Sequence, residues 1–270
     1  MRPPPIPRQL ELAGRQTSPL IMPRNRDVAL EREGDPGDDF PAQIALHHTV
    51  PDSRLRNFFN DVLFNQHLEH IRRALQALIR HIGNYRNVDL ARYRRSRTVA
   101  IRAATMLECG RWIQDFGEPG NQPEGAQEMD EFGKFWCNMP GNLFAGPRAE
   151  ARPYRRAVDD DPHDGFEAQA HLAMPVERHS RLRIMDDFMQ RYCALTLPRR
   201  VGPPRGIPDP WQNPEAIHVA QRASHIYAEM ACLHSYETVR PDAWDLFNPR
   251  GGEDGGRREN RYRLYRRQTG

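Results

Sequence analysis

The chain has 270 residues, 38% of them hydrophobic, a mean hydropathy of −0.81 and a formal net charge of +3. That length allows one large domain or two small ones, and a charge so close to balance does not by itself mark a nucleic-acid binder. No run of about 18 apolar residues is present to form a membrane span. The four cysteines (Cys109, Cys137, Cys193 and Cys232) form no C-x-x-C pair and read as buried thiols rather than a zinc ribbon.

Residues 1–40 are rich in proline, arginine and acids without sustained periodicity, and predict a flexible lead. Their start lacks the apolar core of a secretory signal. Residues 42–50 predict a short strand carrying His47 and His48. Pro51 with Asp52 or Ser53 then signals a helix start. Leu55, Phe58, Phe59, Val62 and Leu63 recur at helical spacing. After a weak point at Asn65-Gln66, a second stripe runs from Leu68 to Ile82, with Gly83-Asn84 placed as a C-cap. A third helix is predicted over 88–116, with Leu90, Ile101, Ala104, Leu107, Trp112 and Ile113 inward.

Residues 117–131 read as an acidic Gly/Pro loop, and 132–147 as a β-hairpin or two extended segments around Pro140-Gly141. An arginine-rich stretch (Arg148, Arg152, Arg155, Arg156) precedes Asp159-Asp160-Asp161, where another helix is predicted to start. Two further helices follow, near 176–196 and 214–238, the second opened by Asn213-Pro214. The segment from about 249 onward predicts a basic, flexible tail in which arginines and tyrosines alternate.

Adjacent histidines on a strand point to opposite faces. One imidazole can therefore hold a metal while its neighbour activates water, the division of labour that phosphodiester hydrolysis at a single ion requires. Further along come Asn142, then Asp160, Asp161, His163, Glu167 and His171. The last three are spaced i, i+4, i+8, one face of a helix, so two of them can share an ion. On these residues, in this order, the sequence resembles the HNH/endonuclease VII superfamily with its ββα-metal finger. The Leu46-His47-His48 triplet is similar to the LHH-like toxin domains of bacterial polymorphic toxins.

The resemblance covers about residues 42–60 and 132–172. It implies only a small HNH-like core there; joined to the helices read from periodicity, this gives a mainly α fold, a helical domain over 41–248 around that core, split by a helical insertion at about 66–131. Asn142 lies 94 residues after His48, farther than in compact fingers, so the insertion must leave and return with its ends close together. By the same resemblance His47 is the first metal ligand and His48 the general base. Asn142 is the residue whose amide bonds the strand backbone and orients that base. His163 is the second ligand, with Asp160, Asp161, Glu167 and His171 competing for that place. Arg148 or Arg152 would hold the substrate phosphate. The cofactor implied is a divalent ion, Mg2+ or else Zn2+ or Ni2+.

The implied function is a metal-dependent endonuclease, DNA ahead of RNA as its partner, acting as an antibacterial toxin effector with a cognate immunity protein. Such a protein would be made in the bacterial cytoplasm without a signal peptide and delivered to a target cell by a secretion system. The alternative is a non-catalytic helical binding or scaffold protein with incidental histidines. On other helices, His67 and His70 read as part of an exposed face. His218, His225 and His234 on the last helix mark the rival location for a metal site.

Overall fold

The described residues between the histidine-bearing strand and Asn142 are mostly helical, and this follows from their apolar periodicity. The computed structural model describes residues 11–12, 14, 17–21, 29–32, 40–41, 44–110, 122–147, 173–201, 213–238 and 262–265. The chain divides into two units, each assembled from three stretches. The first comprises Met1–Ile21, Val50–Asn142 and Ser180–Ser235; the second comprises Met22–Thr49, Leu143–His179 and Tyr236–Gly270.

The first unit is a helical assembly. Helix α1 (Asp52–Phe64) starts after Pro51, whose carbonyl accepts from Arg54 N at 2.9 Å. Its buried face is Leu55, Phe58, Phe59, Val62 and Leu63, as the spacing predicts. Gln66 turns the chain with φ at +57°. A 3-10 turn (Leu68–Ile71) then leads into α2 (Arg72–His81), which buries Ala74, Leu75, Ala77 and Leu78. No C-cap forms at Gly83; α2 tightens into a 3-10 turn over Ile82–Asn84 and the left-handed residue is Asn87, at +59°.

Helix α3 (Leu90–Glu108) is capped by Asp89, whose carboxylate accepts from Arg92 N. It buries Tyr93, Ala100, Ala103, Ala104 and Leu107, while Leu90 faces solvent, contrary to expectation. Position 90 is the first helical residue, where the apolar stripe has not yet begun. Residues 111–116, with Trp112 and Ile113, lie outside the described residues.

The largest correction is α4, Gln122–Cys137. These residues were expected as a loop and a hairpin. Met129, Phe132, Phe135 and Trp136 fall at i, i+3, i+6 and i+7, a helical repeat, and all four are buried. Phe132 packs 4.9 Å from Phe59, and Trp136 stacks on Tyr227 with ring centroids 4.1 Å apart. Trp136 donates from Nε1 to the Leu55 carbonyl at 3.1 Å, and the Tyr227 hydroxyl donates to the Trp136 carbonyl at 2.9 Å. Buried aromatics with a polar handle usually find such partners, and here they tie α1, α4 and the last helix together.

Helix α5 (Val176–Val201) contributes Leu182, Met185, Met189 and Tyr192 to this core. Helix α6 (Pro214–Ala231) is capped as predicted: the Asn213 side chain accepts from Glu215 N and Ala216 N. It packs on α2, where Ala74 N donates to the buried Ser224 hydroxyl at 3.0 Å. Part of the stretch expected to be a flexible lead belongs to this unit too. Leu12 is buried, and Asn60 accepts from its N–H and donates to its carbonyl at 2.8 and 3.1 Å. Leu20 bridges Val88.

The second unit holds two small sheets. Strands β1 (Ala29–Arg32), β2 (Phe40–Pro41) and β6 (Tyr262–Tyr265) pair antiparallel in the order β2-β1-β6. Residues expected in the lead and the tail thus supply strands. The other sheet orders β3 (Ile44–His48), β4 (Leu143–Pro147) and β5 (Glu237–Thr238), with β3 antiparallel and β5 parallel to the central β4. Among the described residues no helix is long and apolar enough to cross a membrane.

Of the cysteines only Cys137 is buried; Cys109 and Cys232 are exposed, Cys193 is half-buried, and all four are free thiols. The reading of four buried thiols is corrected to one. Cys109 and Cys232 are the residues that close α3 and α6, and helix ends meet solvent more readily than helix centres.

Candidate functional site

The expected site residues that are described fall in both units. In the second unit, β3 pairs with β4 so that His47 lies opposite Phe144 and His48 opposite Leu143. Both histidines are half-buried. Being neighbours on a strand, they present their rings to opposite faces of the sheet. His47 stacks on Phe144 with ring centroids 5.3 Å apart and planes 29° from parallel, which fixes its imidazole plane. The row continues across the sheet, since Phe144 pairs with Glu237 on the other side. Glu237 is bound in turn by Arg178 at 2.7 Å.

In the first unit, Asn142 is fully buried and grips one residue by both backbone groups. Its Oδ1 accepts from Val50 N at 2.7 Å, and its Nδ2 donates to Val50 O at 2.9 Å. Asn142 N in turn donates to the Met139 carbonyl, closing the 3-10 turn Pro140–Asn142. Gly141 is required in this turn, because a Cβ there would collide with the Met230 carbonyl. Val50 follows His48 by two residues and Asn142 directly precedes β4. The helical segment therefore leaves and returns at residues held together by a two-bond clamp.

Asn60 makes the same two-bond clamp on Leu12. The clamp is thus a device this chain also uses where no histidine pair is near in sequence. What distinguishes Asn142 is its position between the insertion and β4.

The remaining residues expected at the site (Arg148, Arg152, Asp160, Asp161, His163, Glu167 and His171) lie outside the described residues. Of the expected metal donors, His47 alone is described. Among the described residues no group of three His, Cys, Asp or Glu side chains converges to hold an ion. The Arg178–Glu237 pair was missed by sequence reasoning. Only the parallel pairing of β5 places Glu237 in the row of His47, and a two-residue strand leaves no periodic signal.

The other histidines resolve differently. His67 is buried rather than exposed, with Nδ1 2.9 Å from the Tyr192 hydroxyl. The 3-10 turn that follows it makes its neighbours Glu69 and Arg72 poor guides to its face. His70 is half-buried beside Glu69, and burial lowers its pKa more than that carboxylate raises it.

On α6, His218 and His225 are exposed and the rival metal site does not assemble from them. His234 instead meets His81, Nε2 to Nδ1 at 3.2 Å, while the Cys232 sulfur lies 3.3 Å from His81 Nε2. These contacts use opposite nitrogens of one ring, so they form a hydrogen-bonded row rather than a chelate. Desolvation first, and then His234 and Arg80, lower the pKa of His81.

No protein-family model, curated protein or solved structure matches the chain.

Proposed function

We propose that this chain is a metal-dependent endonuclease of the ββα-metal type, with its helical segment inserted between the two strands of the finger. The observation that carries the reading is the β3–β4 register. Across 94 residues of intervening sequence, the strand ending in His47-His48 pairs with the strand that opens directly after Asn142. Sequence order and strand pairing thus agree with the arrangement the resemblance implies.

In this reading His48 takes the proton of a water molecule as its oxygen attacks phosphorus. The bond to the leaving oxygen breaks, and that oxygen gains a proton from solvent. Asn142 acts as a positioning residue: by holding both backbone groups of Val50 it fixes the course of the chain just beyond His48. A divalent ion, Mg2+ or else Zn2+ or Ni2+, would be held by His47 with donors from Asp160, Asp161, His163, Glu167 or His171, and when bound it neutralises charge on the phosphate. Arg148 or Arg152 would contact the phosphate. DNA is the first substrate to test and RNA the second. The same reading carries an antibacterial toxin effector, delivered to a target cell by a secretion system, with a cognate immunity protein.

The non-catalytic scaffold reading is favoured by one observation, the Asn60 clamp on Leu12: the same two-bond grip recurs where no histidine pair is near in sequence. Incubating the full chain with plasmid DNA and with total RNA separates the two. After EDTA treatment, add-back of Mg2+, Mn2+, Zn2+ or Ni2+ is expected to restore cleavage of one polymer. Intact polymers with every ion would favour the scaffold.

A further inference from the structure

The helical unit carries a concentration of charge that the whole-chain balance hides. Residues 72–107 contain nine arginines and a single acid, Asp89, a local balance of +8 in a chain whose total is +3. Two of the nine meet carboxylates just outside that stretch, Arg72 with Glu108 at 3.5 Å and Arg102 with Glu128, as arginines elsewhere in the unit do: Arg54 binds Asp186 at 3.0 Å, Arg56 binds Asp52 at 2.9 Å, Arg181 binds Glu229 at 2.6 Å and Arg191 binds Glu215. Arg80, Arg86, Arg92, Arg94 and Arg95 are all exposed, and among the described residues none of them has a carboxylate partner.

These five residues occupy one continuous feature: the end of α2, the turn after it and the first turns of α3. The turn is fixed rather than loose. Arg86 N donates to the His234 carbonyl at 2.7 Å, and Arg97 reaches the Tyr85 carbonyl at 3.5 Å. The one acid, Asp89, caps α3 and sets its charge against the positive end of that helix's dipole. The feature lacks a stacking platform, because its two aromatics, Tyr85 and Tyr93, are 4% and 7% exposed. Charge without exposed aromatics suits a phosphate backbone rather than unstacked bases.

We infer that the α2–α3 corner, through Arg80, Arg86, Arg92, Arg94 and Arg95, binds the phosphate backbone of duplex DNA without reading its sequence. The choice of DNA over other polyanions rests on the nuclease reading; the surface itself rests on its unmatched arginines. The inference gives the helical insertion a task, that of holding the substrate.

The test is fluorescence anisotropy of a labelled 20-base-pair duplex, titrated with the full chain in EDTA so that cleavage is off. The Arg92→Ala/Arg94→Ala/Arg95→Ala variant is compared with Arg181→Ala/Arg191→Ala, which removes arginines that already have partners. Circular dichroism and melting temperature establish that both variants fold. The first variant is expected to bind at least about tenfold more weakly at low salt. Its slope of log affinity against log salt should fall by about 2–3, close to 0.9 for each phosphate contact removed. The second variant should match wild type.

Equal binding and slope for the first variant and wild type would overturn the proposal, whether or not the protein cuts DNA. Loss of binding in the first variant alone supports the surface, even if no metal ion supports cleavage and the nuclease reading falls. Tighter binding to phosphatidylserine vesicles than to duplex, lost in the same variant, would overturn it in favour of a lipid partner.

Discussion

Replacing Asn142 by alanine removes both bonds to Val50 and leaves a buried N–H and a buried carbonyl without their partner, in a residue that is itself fully buried. Each orphaned buried group costs about 1–3 kcal/mol, so with two of them the variant should lose about 2–6 kcal/mol. Against the 5–15 kcal/mol typical of a folded domain, that is a large share. The lost volume is small and adds little. Urea unfolding followed by tryptophan fluorescence reads the effect as a lower midpoint at an unchanged slope. Asn142→Asp keeps the acceptor for Val50 N–H but sets a carboxylate oxygen against the Val50 carbonyl; at neutral pH it should be no more stable than the alanine variant. Asn60→Ala, which breaks the matching clamp on Leu12, should lose a similar amount, since it too orphans one N–H and one carbonyl. An Asn142→Ala protein within about 0.5 kcal/mol of wild type, inside the usual range for surface substitutions, would refute the idea that this side chain holds the ends of the insertion together.

Trp136→Ala removes the stacking on Tyr227 and the bond to the Leu55 carbonyl; a loss of about 3–5 kcal/mol is expected by denaturant titration, and less than about 1 kcal/mol would mean the aromatic cluster is not the core. Gly141→Ala should cost about 1–3 kcal/mol by forcing backbone apart at Met230, read as a lower melting temperature. His81 and His70 both have folded-state pKa values below the usual 6.5, chiefly from burial. The unfolded chain then binds the proton more readily, so stability from these groups is present above pH 6.5 and is lost as pH falls through the lowered values. Unfolding midpoints from pH 7.5 to 5 should decline, and His81→Gln should flatten that decline; an unchanged slope would contradict the assignment.

Helices α1, α2 and α6 were legible in sequence because their buried residues recur every three or four positions, and α6 because Asn213-Pro214 is a strong start signal. The α4 helix was obscured by Gly133 among the aromatics and by Pro140-Gly141 just beyond. Both features resemble a hairpin locally, yet burial of Phe132, Phe135 and Trp136 on one face decides for helix. The His67–Tyr192 contact joins residues 125 apart, and no local pattern reports such a pairing. The pairing of Ile44–His48 with Leu143–Pro147 was not legible in the sequence, where 143–147 reads as part of a local hairpin around Pro140-Gly141 and no local pattern reports a partner so far away. The reading of Glu69 and Arg72 as marks of an exposed face failed for His67 because a 3-10 turn breaks the 3.6-residue repeat there.

The most direct test of the central claim is plasmid cleavage by His48→Ala beside wild type, each shown to be folded, with Mg2+, Mn2+, Zn2+ or Ni2+ present. The account predicts metal-dependent cutting by wild type that falls at least about a hundredfold in the variant, the lower end of what a general base contributes. Cutting by His48→Ala at the wild-type rate would contradict it.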